Sequence, residues 1–427
     1  MNSQKIKDII KSIEQIPLFL YLIKWLFIST IVGVLIGCAS AFFLILLNFA
    51  TETREVNLWI ISLLPIEGLI IGLTYYYLGS SVVKGNNQLL EEIHNPKQII
   101  PFKMAPLVLF GTIVTHLFGG SAGREGTAVQ MGGAIADQFT KIFNLKDRDR
   151  KIILILGISA GFASVFATPI AGAVFALEVM VLGRMRYEAI LPSILVAVIA
   201  NYTCNLFPVN HTHYAIDIVP SLTPFTFLWS IFVGILFGLT ALLFSKSVKF
   251  WNLQFAKFIK YAPLRPFFGG IVITLAIWAI GSTKYIGLGI PTIVDAFHGN
   301  LPSYDFIVKL LFTSFTLGAG FKGGEVTPLF FIGATLGNAL VWFVPLPIAL
   351  LAGMGFVAVF AGATNTPIAC TFMGIELFGM QGGVYIAIAC ITAYFFSGHS
   401  GIYSSQIIGS PKHAVFARKK GKNLAKI

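Results

Sequence analysis

The chain has 427 residues, is 56% hydrophobic and gives only 11% of its positions to Asp, Glu, Lys and Arg. A soluble domain spends roughly 25% of its residues on charge, so a water-soluble fold is excluded and an all-α polytopic membrane protein is expected. The excess of 30 basic over 18 acidic residues, +12, is assigned to loops retained in the cytoplasm by the positive-inside bias, with no nucleic acid as partner. Cys38, Cys204, Cys370 and Cys390 stand at no metal-ligand or disulfide spacing. They read as packing residues, and neither a metal nor a cofactor is expected.

Residues 1–22 set Lys5, Lys7 and Lys11 among isoleucines at helical spacing, which predicts an interfacial helix and not a signal peptide. Apolar runs of spanning character follow at 25–50, 58–79, 152–182, 189–206, 225–244, 267–281, 307–320, 328–360 and 383–397. Between them, 104–140 and 315–340 are cut by the glycine-rich stretches GGSAGREGT and FKGGEVTP. Interrupted backbone at membrane depth persists only where protein or a polar cavity covers it. Basic residues gather at the N-terminus, at Arg184 and Arg186, from Lys246 through Arg265, and in a tail over 406–427; these mark the cytoplasmic side. The loop holding His211, His213 and Asp217 has neither Lys nor Arg and reads as external.

Two halves, 23–210 and 211–405, repeat one another. Gly157 to Glu178 matches Gly355 to Glu376, including the run Thr168-Pro169-Ile170-Ala171, at an offset of 366 − 168 = 198. The preceding blocks match at an offset of 200, which pairs Gly120, Gly123, Glu125 and Thr127 with Gly320, Gly323, Glu325 and Thr327. Repeats with broken helices at corresponding places point to a transporter's binding site.

The glycine turn before Glu125 delivers the chain to a helix start, where free N–H groups and the dipole favour an anion. An ionised Glu125 could fill that anion position and leave it on protonation, linking proton and anion movement. A capping glutamate partnered by Arg124 is the structural alternative, but a carboxylate at membrane depth is costly enough to suggest function. Glu325 and Thr327 repeat the device, with Pro328 near a helix start. Lys322 reads as interfacial. Tyr403, after the last apolar run, has the position of a membrane-interface anchor. Gly85-Asn86-Asn87 is either an anion-binding turn or an ordinary one.

Taken together these motifs resemble the CLC family of anion channels and proton-coupled antiporters. GREGT at 123–127 is similar to that family's GREGP signature, GFASVFATPIAGAVFALE to the helix pair that follows it, and Tyr403 to its tyrosine near the final helix. The resemblance runs from about residue 20 to about 410. It implies a CLC-type inverted repeat of tilted, broken helices, a homodimer with one ion pathway per subunit, Glu125 as the gating glutamate, and Tyr403 closing the pathway from inside. It also implies an anion-binding set of Gly123, Arg124, Gly126, Thr127, Asn86, Asn87, Thr327 and Tyr403.

Departures from the common pattern resemble the family's fluoride-exporting branch. Thr127 replaces the signature proline, GNN at 85–87 replaces a serine-containing GSGIP loop, GGEVTP at 323–328 replaces GxFxP, and Val179 stands in the place of an internal proton-transfer glutamate. The resemblance then implies a secondary transporter that exports fluoride in exchange for protons, with Asn86 near the central anion, Thr327 on fluoride and Glu325 as a second acid. A chloride channel or chloride/proton antiporter of the same family is the alternative. A membrane enzyme using Glu125 and Glu325 as acid and base is not expected, because no serine–histidine pair or histidine-rich cluster accompanies them. The 24 residues after Tyr403 are too few for the paired regulatory domains of many eukaryotic relatives. A bacterial plasma membrane location, with both termini cytoplasmic, is expected.

Overall fold

Forty-two residues from Gln15 to Val56 form the first helix, α1. At 1.5 Å per residue it is about 60 Å long, roughly twice a bilayer core, so it must run strongly tilted or extend beyond the hydrocarbon. The computed structural model describes residues 15–426. The interfacial helix expected over 1–22 therefore lies mostly outside the described residues, and 15–22 are the opening turns of α1 with no break at residue 22.

The remaining helices are α2 (Leu64–Tyr77), α3 (Asn86–His94), α4 (Met104–Leu117), α5 (Glu125–Ile142), α6 (Asp147–Phe166), α7 (Pro169–Glu178), α8 (Ile190–Asn205), α9 (Pro224–Phe258), α10 (Leu264–Ile280), α11 (Ile290–His298), α12 (Asp305–Ala319), α13 (Val326–Ala339), α14 (Ile348–Thr364), α15 (Pro367–Phe378) and α16 (Gly383–Phe396). Two apolar runs that read as single segments are each two helices. Run 152–182 reverses at Ala167 (φ +57) before Pro169, and run 328–360 is divided before Pro347 and Ile348. Hydropathy cannot register such a reversal, because the turning residues are themselves apolar.

The repeat is present in three dimensions, with one change of register. For α6–α7 and α14–α15 the offset of 198 holds: Ala167 and Asn365 both take left-handed backbone, Thr168 and Thr366 are the N-caps, and Pro169 and Pro367 open the helices. For the preceding turn the offset is 324 − 123 = 201 and not 200. Gly119 (φ +90) and Gly320 (φ +105) end the helices before it, and Gly123 and Gly324 exchange backbone hydrogen bonds of 2.6 and 2.7 Å. Arg124 and Glu325 are the two N-caps. The structural counterpart of Glu125 is therefore Val326, and that of Glu325 is Arg124. Glycine-rich sequence allowed the one-residue slip, since GGSAG and GFKGG offer similar matches in either register.

Close backbone approach joins each half. A Cβ on Gly132 would lie 2.2 Å from the Gly157 carbonyl oxygen, and one on Gly333 would lie 2.0 Å from that of Gly355. Only glycine permits these crossings, α5 on α6 and α13 on α14. The halves are then tied to one another at helix starts. Glu178, at the end of α7, accepts hydrogen bonds from Ile368 N (3.2 Å) and Ala369 N (2.8 Å) of α15; Glu376, near the end of α15, accepts them from Ile170 N (2.9 Å) and Ala171 N (2.8 Å) of α7. Each carboxylate satisfies free N–H groups at the positive end of the other helix.

The basic tail is docked on the body. Its short strand β2 (Ile407–Ile408) pairs in parallel with β1 (Val181–Leu182). Gln406 donates to Val179 O (2.6 Å) and Thr364 O (2.7 Å), so the segment that follows Tyr403 is fastened to both halves.

Candidate functional site

The Gly123–Gly324 pairing brings the first turns of α5 and α13 face to face, and Glu125 is fully buried between them. Its Oε2 accepts hydrogen bonds from Arg124 N and Thr327 N, each 3.1 Å, and its Oε1 accepts one from the Thr327 hydroxyl. The Arg124 Nε lies 3.5 Å from Oε1. The carboxylate oxygens occupy the place where an anion would meet the amide groups of two helix starts.

Two small cavities lie among the residues around this site. One, of about 10 Å3, is lined by Asn86, Leu89, Val129, Phe175 and Tyr403. The other, of about 20 Å3, is lined by Arg124, His211, Thr212, Tyr214 and Thr327. Beyond the second, a vestibule of about 760 Å3 includes Arg54, Arg124, Asn210, Thr212 and Lys284. One cavity thus includes Tyr403, at the start of the tail, and the other adjoins a vestibule on the face carrying the 206–223 loop.

The residues expected from sequence divide into those at this path and those turned from it. Asn86 is the first residue of α3, and a side chain on Gly126 would meet Asn86 Nδ2 and Gly324 Cα at 3.1 Å. Gly126 therefore eases the close approach of α3 and the second-half turn. Tyr403 is buried and packs its ring near Phe175, with centroids 6.5 Å apart. Glu325 lies beside Gly126, its Oε2 at 3.8 Å from where a Cβ would stand. Gly123 acts through its backbone.

Two expected ligands point elsewhere. The Thr127 hydroxyl shares a 2.6 Å hydrogen bond with that of Thr112, which ties α5 to α4. Asn87 Oδ1 accepts from Ser405 N at 2.9 Å, and this anchors the tail two residues after Tyr403. In a helix, neighbouring residues project about 100° apart, so Asn86 at the cavity turns Asn87 away from it. The same holds for Thr127, two positions after Glu125.

Some residues that hold the site carried no recognisable signal. The His116 ring lies with Nδ1 2.8 Å from Thr112 O and Nε2 3.0 Å from Ala122 O, and so braces the glycine turn against α4. Arg54 Nη1 donates to His116 O at 2.8 Å. Lys322 places its ammonium 4.0 Å over the Tyr75 ring, away from Glu125. Among the described residues no group of three His, Cys, Asp or Glu side chains could hold a metal ion.

A family model described as voltage gated chloride channel matches residues 68–398. The chain belongs to this family, the CLC family. A chloride/fluoride channel protein of Pseudomonas syringae pv. tomato is 52% identical to it over 411 residues, covering 94% of this chain and 90% of the relative. An H(+)/Cl(-) exchange transporter of Vibrio vulnificus is 29% identical over 391 residues, covering 83% and 82%. Among solved structures, a CLC-type fluoride/proton antiporter superposes with a TM-score of 0.88 at 35% identity, covering 90% of this chain and 98% of that one. A slow cyanobacterial Cl−/H+ antiporter superposes at 0.76 with 18% identity, a likeness of fold. The CLC inverted repeat expected from the sequence is thus the fold of this chain.

Proposed function

We propose that this CLC protein is a secondary transporter that exports fluoride in exchange for protons, and not an enzyme. The observation that carries the reading is the buried Glu125 carboxylate, held by donors from both halves, two of whose partner residues, Arg124 and Thr327, line a small cavity. While ionised it takes the donors an anion needs. Protonation removes its charge and weakens its hold on those amides, which frees them for an anion. Proton and anion therefore compete for one set of groups, and their movements become linked.

Fluoride is smaller and more strongly hydrated than chloride, so its site must supply close, strong donors. Thr327 contributes a hydroxyl and a backbone N–H at the gate, and Asn86 an amide on the inner side. Tyr403 closes the inner cavity, and Glu325, half-buried beside Gly126, serves as the second acid. The relatives whose printed names include fluoride support this assignment over the chloride-only one. The protein is read as a homodimer in a bacterial plasma membrane, with the basic loops and both termini in the cytoplasm; exposed Ile170, Ile194, Ile368 and Phe372 supply an apolar face for a second copy.

Fluoride efflux and proton uptake recorded together from proteoliposomes test the reading. Fluoride should move against protons in the wild type, and Glu125→Gln should abolish that coupling. Equal transport of chloride and fluoride would assign the chain to the chloride-type alternative, and coupled exchange surviving in Glu125→Gln would show that the gate lies elsewhere.

A further inference from the structure

The loop between α8 and α9 crosses the outer mouth of the site and brings His211 to the 20 Å3 cavity that Arg124 and Thr327 also line. A cavity of that size holds about one water-sized species, for which roughly 10–15 Å3 suffices; fluoride is of similar size. Two buried nitrogens of residues that line it, Arg124 Nε and His211 Nε2, have no hydrogen-bond partner among the described residues; Arg124 Nε has the Glu125 carboxylate as an ionic neighbour at 3.5 Å. A buried donor without a hydrogen bond is costly, so two such nitrogens on residues of one small cavity call for a ligand that can accept from both. Arginine is always a donor, whereas a ring nitrogen of histidine donates only when it carries a proton. Arg124 and Thr212 line both this cavity and the vestibule, so the two adjoin.

We infer that this cavity is an outer binding site for a monovalent anion of fluoride's size, held between the Arg124 guanidinium and a protonated His211 Nε2. It deepens the exchange reading above, on which the choice of fluoride rests. Burial, and next the Arg124 charge, hold the His211 imidazole down at about 4; the ring's hydrogen bond to the Val165 backbone opposes them and nearby His213 adds to them. At neutral pH the ring by itself is neutral. An anion beside it offsets the Arg124 charge and accepts the N–H, so anion and proton bind together from the outer face. The charged and titratable groups around the ring are Arg124, His213 and Tyr214, which lines the same cavity, and Arg124 is ion-paired with Glu125.

The test measures the KM for fluoride separately in right-side-out and inside-out membrane vesicles, which present opposite faces. His211→Ala should raise KM at the outer face about tenfold, the loss of one charge-assisted hydrogen bond, and leave KM at the inner face unchanged. Lowering outer pH from about 8 to about 5.5, across the range where histidine ordinarily titrates, should lower the outer KM of the wild type and not of the variant. His211→Gln, which keeps an N–H donor without titrating, should restore affinity but not the pH dependence. An unchanged outer KM, as for a cavity that holds water only, or equal shifts at both faces, would overturn the inference. A second measurement stands apart from transport. In protein labelled with 15N-histidine, fluoride should move the His211 ring resonances toward the protonated form, and chloride less so. If the wild type exchanges no fluoride for protons yet the resonances shift, the exchange reading fails and the site stands; if exchange is intact and no shift occurs, the site fails alone.

Discussion

Thr327→Val isolates the side-chain hydrogen bond from Thr327 to the proposed gate, Glu125. The valine keeps the side-chain shape and the backbone N–H that reaches Glu125 Oε2 at 3.1 Å, and it deletes only the hydroxyl that donates to Oε1. Oε1 then retains only the Arg124 Nε at 3.5 Å. A hydrogen bond to a charged group contributes about 1.5–3 kcal/mol, and each 1.4 kcal/mol is about tenfold in an equilibrium. The sealed arrangement of Glu125 should therefore lose roughly 10- to 100-fold in population against arrangements in which the carboxylate has left. In proteoliposomes without a pH gradient this appears as an anion leak, and with a gradient as fewer protons moved per fluoride. Thr327→Ser, which keeps the hydroxyl, should restore coupling. A valine variant that folds and exchanges at the wild-type proton-to-fluoride ratio would refute the role given to this bond.

The remaining predictions concern the frame around the gate. Glu178→Ala and Glu376→Ala each leave two helix-start N–H groups without their acceptors and should each cost about 1–3 kcal/mol, seen as a lower unfolding midpoint in detergent; glutamine, which still offers an acceptor oxygen, should cost less than alanine at both. Asp137→Ala removes a carboxylate that accepts from Arg150 Nε at 2.9 Å and Nη2 at 2.8 Å, and from Ile100 N at 2.8 Å. Arg150 would stay buried with Glu92 as its one carboxylate partner beside the Gln98 carbonyl, a loss of about 3–5 kcal/mol, and the folded fraction that survives should exchange with unchanged proton-to-fluoride ratio.

Sequence carried the class of fold because its strongest signals are local. Too few charges, glycine turns inside apolar runs, and a recurring Thr-Pro-Ile-Ala at helix starts are all readable residue by residue, and they led to Glu125 and Thr327. What could not be read depends on direction and on distance through space. Asn87 and Thr127 have the right chemistry, yet helical geometry turns them to the tail and to α4. Ala167 reverses the chain with left-handed backbone although nothing in its identity announces it, whereas its counterpart Asn365 is a residue that accepts this conformation more readily. His211 reads as a loop residue, and only the folded loop brings it beside Arg124.

The register of the repeat bears directly on how a nearly two-fold scaffold can hold a single proposed gate. At the offset of 201, the N-cap of one half is Arg124 and that of the other is Glu325; the first helical residue is Glu125 in one and Val326 in the other. Two glutamates in equivalent first positions would bring like charges to the local axis, where each would oppose ionisation of the other. Instead one carboxylate crosses to the opposite helix start, and Thr327, the counterpart of Gly126, supplies the hydroxyl that receives it. The glycine at the other counterpart position leaves room for Asn86 and Glu325. Symmetry of the backbone thus provides two converging sets of amide donors, and asymmetry of the side chains at three paired positions gives the hydroxyl donor to one half and the carboxylate to the other. An exchanger needs both, because an anion and a carboxylate can replace one another only at a site whose donors stay fixed while one acid leaves.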